Sequence, residues 1–412
     1  MFAPAALADS VPEAVARALR GSHQVQAYVL EGKAALADTA AVAGVRRPRL
    51  GVSAQAGGNG TANGEDYSAG VSVTLAQPIY DGGEIASNLL RSKASLRAAL
   101  ARARDSRDVT SLEAVKSYIE VQRTRYLLGI TRNNLKALGN IKHRIGLRAK
   151  AGFASAADLH QAQTQIEAAK LLVEDAQSQG ADAMVVFETI TRQPAGNLES
   201  PSIPRSALPQ SLEQALRLAS ANSPRILAVT YDASAAEAAI GIAKSAFRPK
   251  INLRLGLDYD DGTAGGSNSS ESASAQIVFK YDLYDGGTRA ARLSQNRYRA
   301  LALQQDVLDT MDQVRQEIRL IWNAINSSQA RLATLERKSN SARKALDLNL
   351  ERFAAGKASL DVILTLQSEA ASSEIEYLNE ISTGRFNTYR ILAVTGRLLP
   401  ALGIRYADGG SQ

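Results

Sequence analysis

Few side chains in this sequence are arranged for catalysis or metal binding. It contains no cysteine, which excludes disulfides, thiolate catalysis and cysteine metal sites. His23, His143 and His160 are scattered and lack the spacing of metal ligands. The sequence has no glycine-rich phosphate loop and no nucleophile paired with a histidine. We therefore predict no catalytic residues, no metal site and no cofactor, and an enzyme is the least favoured class of function.

The ionisable residues are numerous but evenly spread. The 48 Lys and Arg residues and the 41 Asp and Glu residues give a net charge of +7. A nucleic-acid-binding protein usually concentrates basic residues in a patch or an arm, and the sequence shows neither. We expect no nucleic acid partner and interpret most of these charges as solvated surface.

The most distinctive short sequence, Tyr-Asp-Gly-Gly, occurs at residues 80–83 and again at 284–287. Each copy follows a segment of alternating apolar residues and precedes a segment with a helical period. A backbone that changes from strand to helix needs dihedral angles that glycine adopts without a steric penalty. The predicted strand-to-helix junctions comprise Asp81, Gly82, Gly83, Asp285, Gly286 and Gly287.

These junctions belong to a longer internal repeat. Ala-Gly-x-Ala-Ser also recurs, at residues 151–155 and 355–359, with the same separation of 204 positions. We predict a first repeat over residues 11–193 and a second over 211–399, because the order of elements is the same in both. The proline-rich segment 194–210 is the predicted linker.

Each repeat predicts a helix, a β-hairpin, a long helix, a turn and a returning helix. The first repeat has a helix from Val11 to about Arg46, a hairpin over 48–78, a long helix over 84–150 and a helix over 155–192. The second has a helix over 211–247 interrupted at Pro224, a hairpin over 249–283, a long helix over 288–355 and a helix over 359–397. Each long helix would extend about 100 Å, and its apolar spacing is typical of coiled coils.

The predicted strands have one apolar face and one small or polar face, which leaves two interpretations open. An antiparallel sheet could cover a soluble core, or it could form the wall of a membrane β-barrel with a wet lumen. About ten tilted residues span a bilayer, and Tyr67 and Tyr80 near strand ends suit an interfacial aromatic girdle. Charges of both signs on the polar face of the second hairpin favour the wet lumen.

Four strands are too few to close a membrane barrel, whose minimum is about eight. Open sheet edges are not tolerated in lipid. If the strands are transmembrane, several chains must share one barrel, and three chains supply twelve strands.

The chain ends suggest little ordered structure. Residues 1–10 have the composition expected at the end of a secretory signal, with small residues at Ala6 and Ala8 before a cleavage site. An ordinary alanine-rich terminus is the alternative. Residues 400–412 are predicted to be a loose tail. The sequence has no run of 18 apolar residues, so no transmembrane helix is expected.

The ordered pair of halves resembles the TolC family of trimeric outer-membrane channels. The resemblance depends on the two Tyr-Asp-Gly-Gly junctions, Pro78 before the first, the two Ala-Gly-x-Ala-Ser turns and the Arg-Pro pairs that start the hairpins. It covers the chain from Val11 to about Pro400. It implies a mainly α-helical fold with a transmembrane β part, in which a trimeric 12-stranded β-barrel with four strands per chain continues as a long α-helical coiled-coil barrel.

The resemblance implies a passive exit duct in the outer membrane of a Gram-negative bacterium, with its helical part in the periplasm. The implied partners are two further copies, outer-membrane lipid, a periplasmic adaptor (membrane fusion protein) and an inner-membrane ABC or proton-driven pump. Many drug-efflux members carry a lipidated N-terminal cysteine, which this sequence lacks. This favours type I protein secretion, with multidrug or small-molecule efflux as the alternative. A soluble periplasmic coiled-coil scaffold or adaptor is more distant, because it leaves the amphipathic strands unexplained.

The resemblance also implies a functional site at the helical turns, where family members contact the adaptor through Gly-x-x-x-x-x-Asp sequences. Residues 152–158 match this pattern, and residues 356–361 are one residue shorter. The implied adaptor-contacting residues are Gly152, Phe153, Ser155, Gly356 and Ser359, and the implied entrance residues are Asp158, Asp361, Phe353 and Lys357.

Two expectations about these entrance residues differ in mechanism. Phe353 replaces a family tyrosine and cannot donate a hydrogen bond, so the latch at the entrance must differ. In a trimer, Asp158 and Asp361 would form rings whose mutual repulsion raises their pKa values and binds cations. The alternative is that both aspartates cap the helices that follow the turns.

Overall fold

The computed structural model describes residues 9–61, 64–203, 205–262 and 268–405. Residues 1–8 of the predicted signal remnant and residues 406–412 of the predicted tail lie outside this range. In chain order the elements are α1 (Val11–Gly21), α2 (His23–Gly44), β1 (Arg49–Thr61), β2 (Gly64–Tyr80), α3 (Glu84–Lys150), α4 (Ala156–Thr191), a 3-10 turn (Arg205–Ala207), α5 (Leu212–Asn222), α6 (Pro224–Ser245), β3 (Lys250–Gly262), β4 (Asn268–Lys280), α7 (Thr288–Ala354), α8 (Leu360–Val394) and α9 (Leu398–Ala401).

The helix predicted from Val11 to about Arg46 is in fact two helices. The backbone is extended at Ser22, between α1 and α2. The Ser22 hydroxyl accepts a hydrogen bond from the Val25 backbone N–H at 3.2 Å, so Ser22 acts as an N-cap and starts α2. In the second repeat the break lies at Ser223, and Pro224 is the first residue of α6, a position that suits proline because its missing N–H is not needed there.

The four strands form one antiparallel sheet in the order β1-β2-β3-β4. Leu50 lies opposite Leu75, and Val73 lies opposite Leu257. β2 extends to Tyr80, beyond the predicted end at residue 78, because its last residues still pair with β3, where Tyr80 lies opposite Ile251. β4 ends at Lys280, three residues before the predicted end, because Lys280 pairs with Lys250, the first residue of β3, and the described residues beyond have no strand to pair with.

One face of this sheet is apolar and uncovered by other described parts of the chain. Leu50, Val52, Ile277 and Phe279 are 69%, 70%, 71% and 64% exposed. Such a continuous apolar surface is unusual in a soluble monomer and indicates contact with lipid or another chain.

The contacts between residues divide the described chain into two compact units. The first contains residues 9–26, 104–223 and 312–405, and the second contains residues 27–103 and 224–311. Each unit takes segments from both predicted repeats, because α3 and α7 each contribute to both units. The division into sequence repeats therefore differs from the division into compact units.

In the second unit, small residues allow α2 and α6 to approach α3 closely. A Cβ placed on Gly32 would lie 3.3 Å from the Leu100 side chain, and one on Gly241 would lie 2.6 Å from the Ser87 hydroxyl. α6 is the one described helix long and apolar enough by composition to cross a membrane, which the sequence analysis did not anticipate. Its Asp232 forms an ion pair with Arg102 of α3, so this helix packs against protein.

In the first unit, Tyr118 ties the start of the described chain to the linker. Asp9 and Leu198 form a parallel β-bridge. The hydroxyl of the buried Tyr118 side chain donates to two carbonyl oxygens, that of Asp9 at 2.6 Å and that of Glu199 at 2.7 Å. Desolvation raises the pKa of Tyr118 well above its usual range, so the phenol remains a donor at any physiological pH.

Candidate functional site

The two predicted turns have the same backbone geometry. At the first, Gly152 has φ 81°, and the N–H of Phe153 donates to the Arg148 carbonyl at 2.8 Å. At the second, Gly356 has φ 74°, and the N–H of Lys357 donates to the Arg352 carbonyl at 2.8 Å. This is the Schellman motif, which places glycine in a left-handed conformation directly after a helix. Both long helices are therefore terminated by the same device.

The returning helices start differently. Ser155 is the N-cap of α4: its hydroxyl accepts from the Asp158 N–H at 3.1 Å, and its own N–H donates to the Asp158 carboxylate at 2.8 Å. Such a reciprocal pair is a capping box. In the second repeat the residue three positions after Ser359 is Val362, so this box cannot form. The Asp361 carboxylate instead accepts a hydrogen bond from the Gln161 side chain of α4.

The capping box sets the charge state of Asp158. The hydrogen bond from the Ser155 backbone N–H, followed by that from the Ser155 hydroxyl, holds the pKa of the Asp158 carboxyl below its usual value. The raised pKa predicted for a ring of repelling carboxylates would arise between copies of the chain, and it stays a prediction. The stabilisation that the box provides is present at neutral pH and is lost as the pH falls through the lowered pKa.

Arg148 joins the two turns, and the sequence analysis missed it. Its guanidinium donates to the Phe353 carbonyl oxygen at 2.8 Å and lies 4.8 Å above the centroid of the Phe353 ring. Phe353 therefore contacts Arg148 through its carbonyl oxygen and its ring face, and its role in a latch at the entrance stays a prediction. The available signal was a basic residue four positions before each turn glycine, at Arg148 and Arg352.

Beneath the turns, an apolar cluster fixes the four helix ends together. We call this cluster the tip core. It includes Phe353, which is only 6% exposed. Its members are Leu138, Ile141, Ile145, Ala162, Ile166, Ala169, Phe353, Leu360, Ile363 and Leu364. These residues come from α3, α4, α7 and α8. A hydrogen bond of 2.9 Å between the buried Gln367 and Asn134 side chains adds a polar link between α8 and α3.

The turns themselves present side chains to solvent. Phe153 is 76% exposed, and Ser155, Lys357 and Ser359 are also exposed. An exposed aromatic ring beside a rigid core is the kind of side chain that anchors protein interfaces. The predicted adaptor-contacting residues are therefore accessible in the single chain.

At the strand-to-helix junctions, the two aspartates cap the long helices. Asp81 accepts from the backbone N–H groups of Gly83, at 3.0 Å, and Ile85. Asp285 accepts from the N–H groups of Gly287, at 3.1 Å, and Arg289, at 2.8 Å. Desolvation is the largest single effect on the Asp285 carboxyl and raises its pKa, but the backbone N–H groups of Arg289 and Gly287 and the charged Arg289 side chain together outweigh it, so the pKa is lowered.

The surroundings of the junction glycines differ between the repeats. Gly82 has φ 69°, and a Cβ there would lie 2.8 Å from Arg248 Cβ and 2.9 Å from the Ser245 carbonyl oxygen. Gly286 has φ 65°, yet a Cβ there would meet no described atom within 4 Å. The first junction is packed within the chain, whereas the second is open.

The entrance role of Asp158 and Asp361 remains a prediction that charge removal can test. We expect Asp158→Asn combined with Asp361→Asn to raise single-channel conductance and to weaken block by divalent cations, because six carboxylates would be removed from a trimer. Planar-bilayer recordings measure both quantities. Glu167→Gln, further along α4, is the control. Unchanged conductance and block in the double variant would leave Asp158 as a helix cap and Asp361 as the hydrogen-bond partner of Gln161 only.

Comparison with known proteins identifies one family. Residues 14–190 and 215–380 match the outer membrane efflux protein family, and the unmatched interval contains the predicted linker. Among solved structures, the CmeC outer membrane channel of Campylobacter jejuni superposes with a TM-score of 0.84 at 14% identity, over 94% of this chain and 86% of that one. The shared fold confirms the predicted mainly helical chain with four strands.

Two curated relatives have lower coverage. Protein CyaE of Bordetella pertussis is 28% identical over 236 residues, which are 55% of this chain and 49% of that protein. The pyoverdine export outer membrane protein OpmQ of Pseudomonas aeruginosa is 24% identical over 320 residues, which are 74% of this chain and 64% of that protein. The chain thus spans between half and two thirds of the length of these relatives.

Proposed function

Because this chain is an outer-membrane protein of the outer membrane efflux protein family, as its resemblance to TolC-type channels predicted, we propose that it is the outer-membrane exit duct of a tripartite export system. It conducts substrate passively and is not an enzyme. The observation that carries the proposal is the four-stranded sheet with an uncovered apolar face, attached to two helices of 67 residues each.

The sheet supports a place in the barrel wall. Its apolar face would contact lipid and its polar face would line an aqueous lumen. Tyr80, Tyr281 and Tyr284 are exposed near the end of the sheet that joins the long helices, where an aromatic girdle would meet the membrane interface. The free edges of β1 and β4 must be paired in lipid, and pairing them between copies closes the barrel.

The internal repeat predicts the register of that pairing. Within the chain, β2 pairs with β3, and Val73 lies opposite Leu257. β4 corresponds to β2 by the 204-residue separation of the junctions, and β1 corresponds to β3 by the separation of Pro48 and Pro249. The same pairing between copies therefore places Ile277 of one chain opposite Ala56 of the next, a large exposed residue beside a small one.

An inter-subunit disulfide tests this register, because the chain has no cysteine of its own. Directly opposed residues have Cβ atoms about 4.5–5.5 Å apart, close to disulfide distance. We expect Ala56→Cys with Ile277→Cys, after mild oxidation in the outer membrane, to give covalent dimers and trimers on denaturing gels. Higher oligomers would contradict closure at three chains.

The matched control uses the opposite face of the same strand. Ala56→Cys with Gln276→Cys places the two thiols on different faces of the sheet, so we expect little cross-linking. Each single cysteine variant should stay monomeric on the gel. Equal cross-linking of both pairs would mean that β1 and β4 do not pair in the proposed register.

The tip is the proposed contact with the periplasmic adaptor. Its support is the exposure of Phe153 and Lys357 on turns held by the tip core. The adaptor in turn would be driven by an inner-membrane ABC or proton-driven pump. Site-specific photo-cross-linking from position 153 in cells identifies the partner, and a product lacking any adaptor would exclude this contact.

The proposal also concerns the class of substrate that the duct exports. Type I protein secretion is the first hypothesis, on the resemblance described above. Export of small molecules is the second, because the relative OpmQ is named for pyoverdine export. Deletion of the gene separates them: loss of a secreted protein supports the first, and raised drug sensitivity or loss of an exported small molecule supports the second.

A further inference from the structure

Charged residues on the polar face of the sheet are segregated by sign. This face carries Arg49 on β1, Lys250 and Arg254 on β3, and Lys280 on β4, all towards the end that joins the helices. We call these four residues the basic band. Towards the loop end, the same face of β3 carries Asp258 and Asp260, which we call the acidic band. The neighbours of these aspartates across the sheet are uncharged: Ser72, Ser272, Gly70 and Ser270.

The pairing register places the members of each band in two rows across the strands, with Lys250 opposite Lys280 in the second row of the basic band. Arg49 lies opposite Ala76, which lies opposite Arg254. Ser53 lies opposite Ser72, which lies opposite Asp258. The strands of a barrel are tilted, so a row across them winds around the axis, but three-fold symmetry repeats each charged residue at one height in all three chains. The basic and acidic bands would therefore become separate rings around the lumen.

The side chain of Asp260 has a defined position on this face. A Cβ on Gly70 would lie 2.2 Å from the Asp260 carboxylate oxygen, so that carboxylate lies directly over the β2 backbone. In the basic band, Lys250 forms an ion pair with Glu84 at the start of α3. Among the described side chains of this face, each chain thus contributes three positive charges outside that ion pair at the helix end and two negative charges at the loop end.

The separation of the bands decides whether they act independently. Arg254 and Asp258 are four residues apart on β3, which is about 13 Å along the strand. The Debye length is about 8 Å at physiological ionic strength and about 3 Å at 1 M. At physiological salt the rings create two distinct zones of opposite potential, and at 1 M both are screened.

We propose that these two bands make the barrel charge-selective and directional, favouring anionic substrates that move from the helix end to the loop end. This inference rests on the proposed function, with the polar face lining the lumen. Anions that enter at the helix end are concentrated by the basic band, and cations that enter at the loop end are concentrated by the acidic band. With the opposite voltage each ion meets the band of its own sign first and is depleted.

Current rectification in planar bilayers tests this directionality. We expect the purified trimer in about 0.1 M KCl to conduct more when the loop side is positive, with a ratio of about 1.5 or more between the two polarities, and a ratio near 1 in about 1 M KCl. Reversal potentials in a KCl gradient give the ion selectivity of the same channels.

Two neutralised variants identify the bands. Asp258→Asn with Asp260→Asn should abolish rectification and shift selectivity towards anions, whereas Arg49→Gln with Arg254→Gln should abolish rectification and shift selectivity towards cations. Thr74→Ser, an uncharged change between the bands, is the control and should behave as the unmodified chain. The opposite shifts also show that a loss of rectification is not a loss of folding.

The outcomes separate this inference from the proposed function. A trimer that forms channels with symmetric current in about 0.1 M KCl, or with selectivity unchanged in both neutralised variants, would overturn the charge-band inference alone. A folded trimer that forms no channel at all would overturn the exit-duct proposal and the inference with it.

Discussion

Arg148→Ala is expected to open the periplasmic entrance, seen as a rise in open probability and mean conductance of single channels. The latch to Phe353 combines a charged hydrogen bond with a cation–π contact, and a partly exposed pair of this kind contributes about 2 kcal/mol. Its loss changes the local equilibrium about 30-fold in each chain. Because three copies would line the proposed entrance, the effect should exceed that of any other single change at the tip.

Two further variants divide the latch into its parts. Phe353→Leu keeps an apolar side chain in the tip core and the backbone carbonyl, and removes only the ring, so we expect a smaller rise. Lys150→Ala also removes a positive charge from the last turn of α3 and is the control. If Lys150→Ala raised conductance as much as Arg148→Ala, the cause would be the net charge of the tip and not the latch.

The second large effect is expected at the first strand-to-helix junction. Gly82→Ala forces an alanine into a left-handed conformation, at about 1–2 kcal/mol, and pushes its Cβ against the Ser245 carbonyl oxygen and Arg248 Cβ. Overpacking of this kind adds about 1–3 kcal/mol. We expect the yield of heat-stable trimer in the outer membrane to fall several-fold, measured by semi-native gels.

The corresponding glycine of the second repeat, Gly286, provides the matched control for Gly82→Ala. Gly286→Ala has the same left-handed backbone but meets no described atom of its own chain, so the monomer loses only the backbone contribution. Gly129→Ala, inside α3 with open space around it, should slightly stabilise the helix by about 0.5–1 kcal/mol. Equal losses at positions 82 and 286 would show that the steric contacts at Gly82 are unimportant.

The sequence predicted the long helices well because their boundaries are local. Residues 84–150 coincide with α3, since Asp81 and its glycines start the helix and Gly152 ends it. By contrast, the break at Ser22 was missed because a single serine N-cap inside an alanine-rich helical pattern gives a weak signal. The ends of β2 and β4 depend on which strands have partners, which no local pattern contains.

At the candidate site, the residues that were found are those that sequence patterns mark. Gly152 and Gly356 stand out by the repeat spacing, and Asp158 by the Gly-x-x-x-x-x-Asp pattern of the resembling family. Arg148 was missed because its contact with Phe353 joins residues about 200 positions apart. The one-residue difference at Asp361 was visible in the sequence, but its consequence, a bond to Gln161 in place of a capping box, required the relative positions of α4 and α8.

The two open edges of the sheet have a consequence for biogenesis. A newly exported chain carries unpaired β1 and β4 edges and an uncovered apolar face before it meets its partners, and such edges template aggregation. Assembly therefore competes with aggregation in time, and its rate depends on chain concentration. A periplasmic chaperone that covers the free strand edges, or immediate contact with lipid, would have to protect the single chain from aggregation until it assembles.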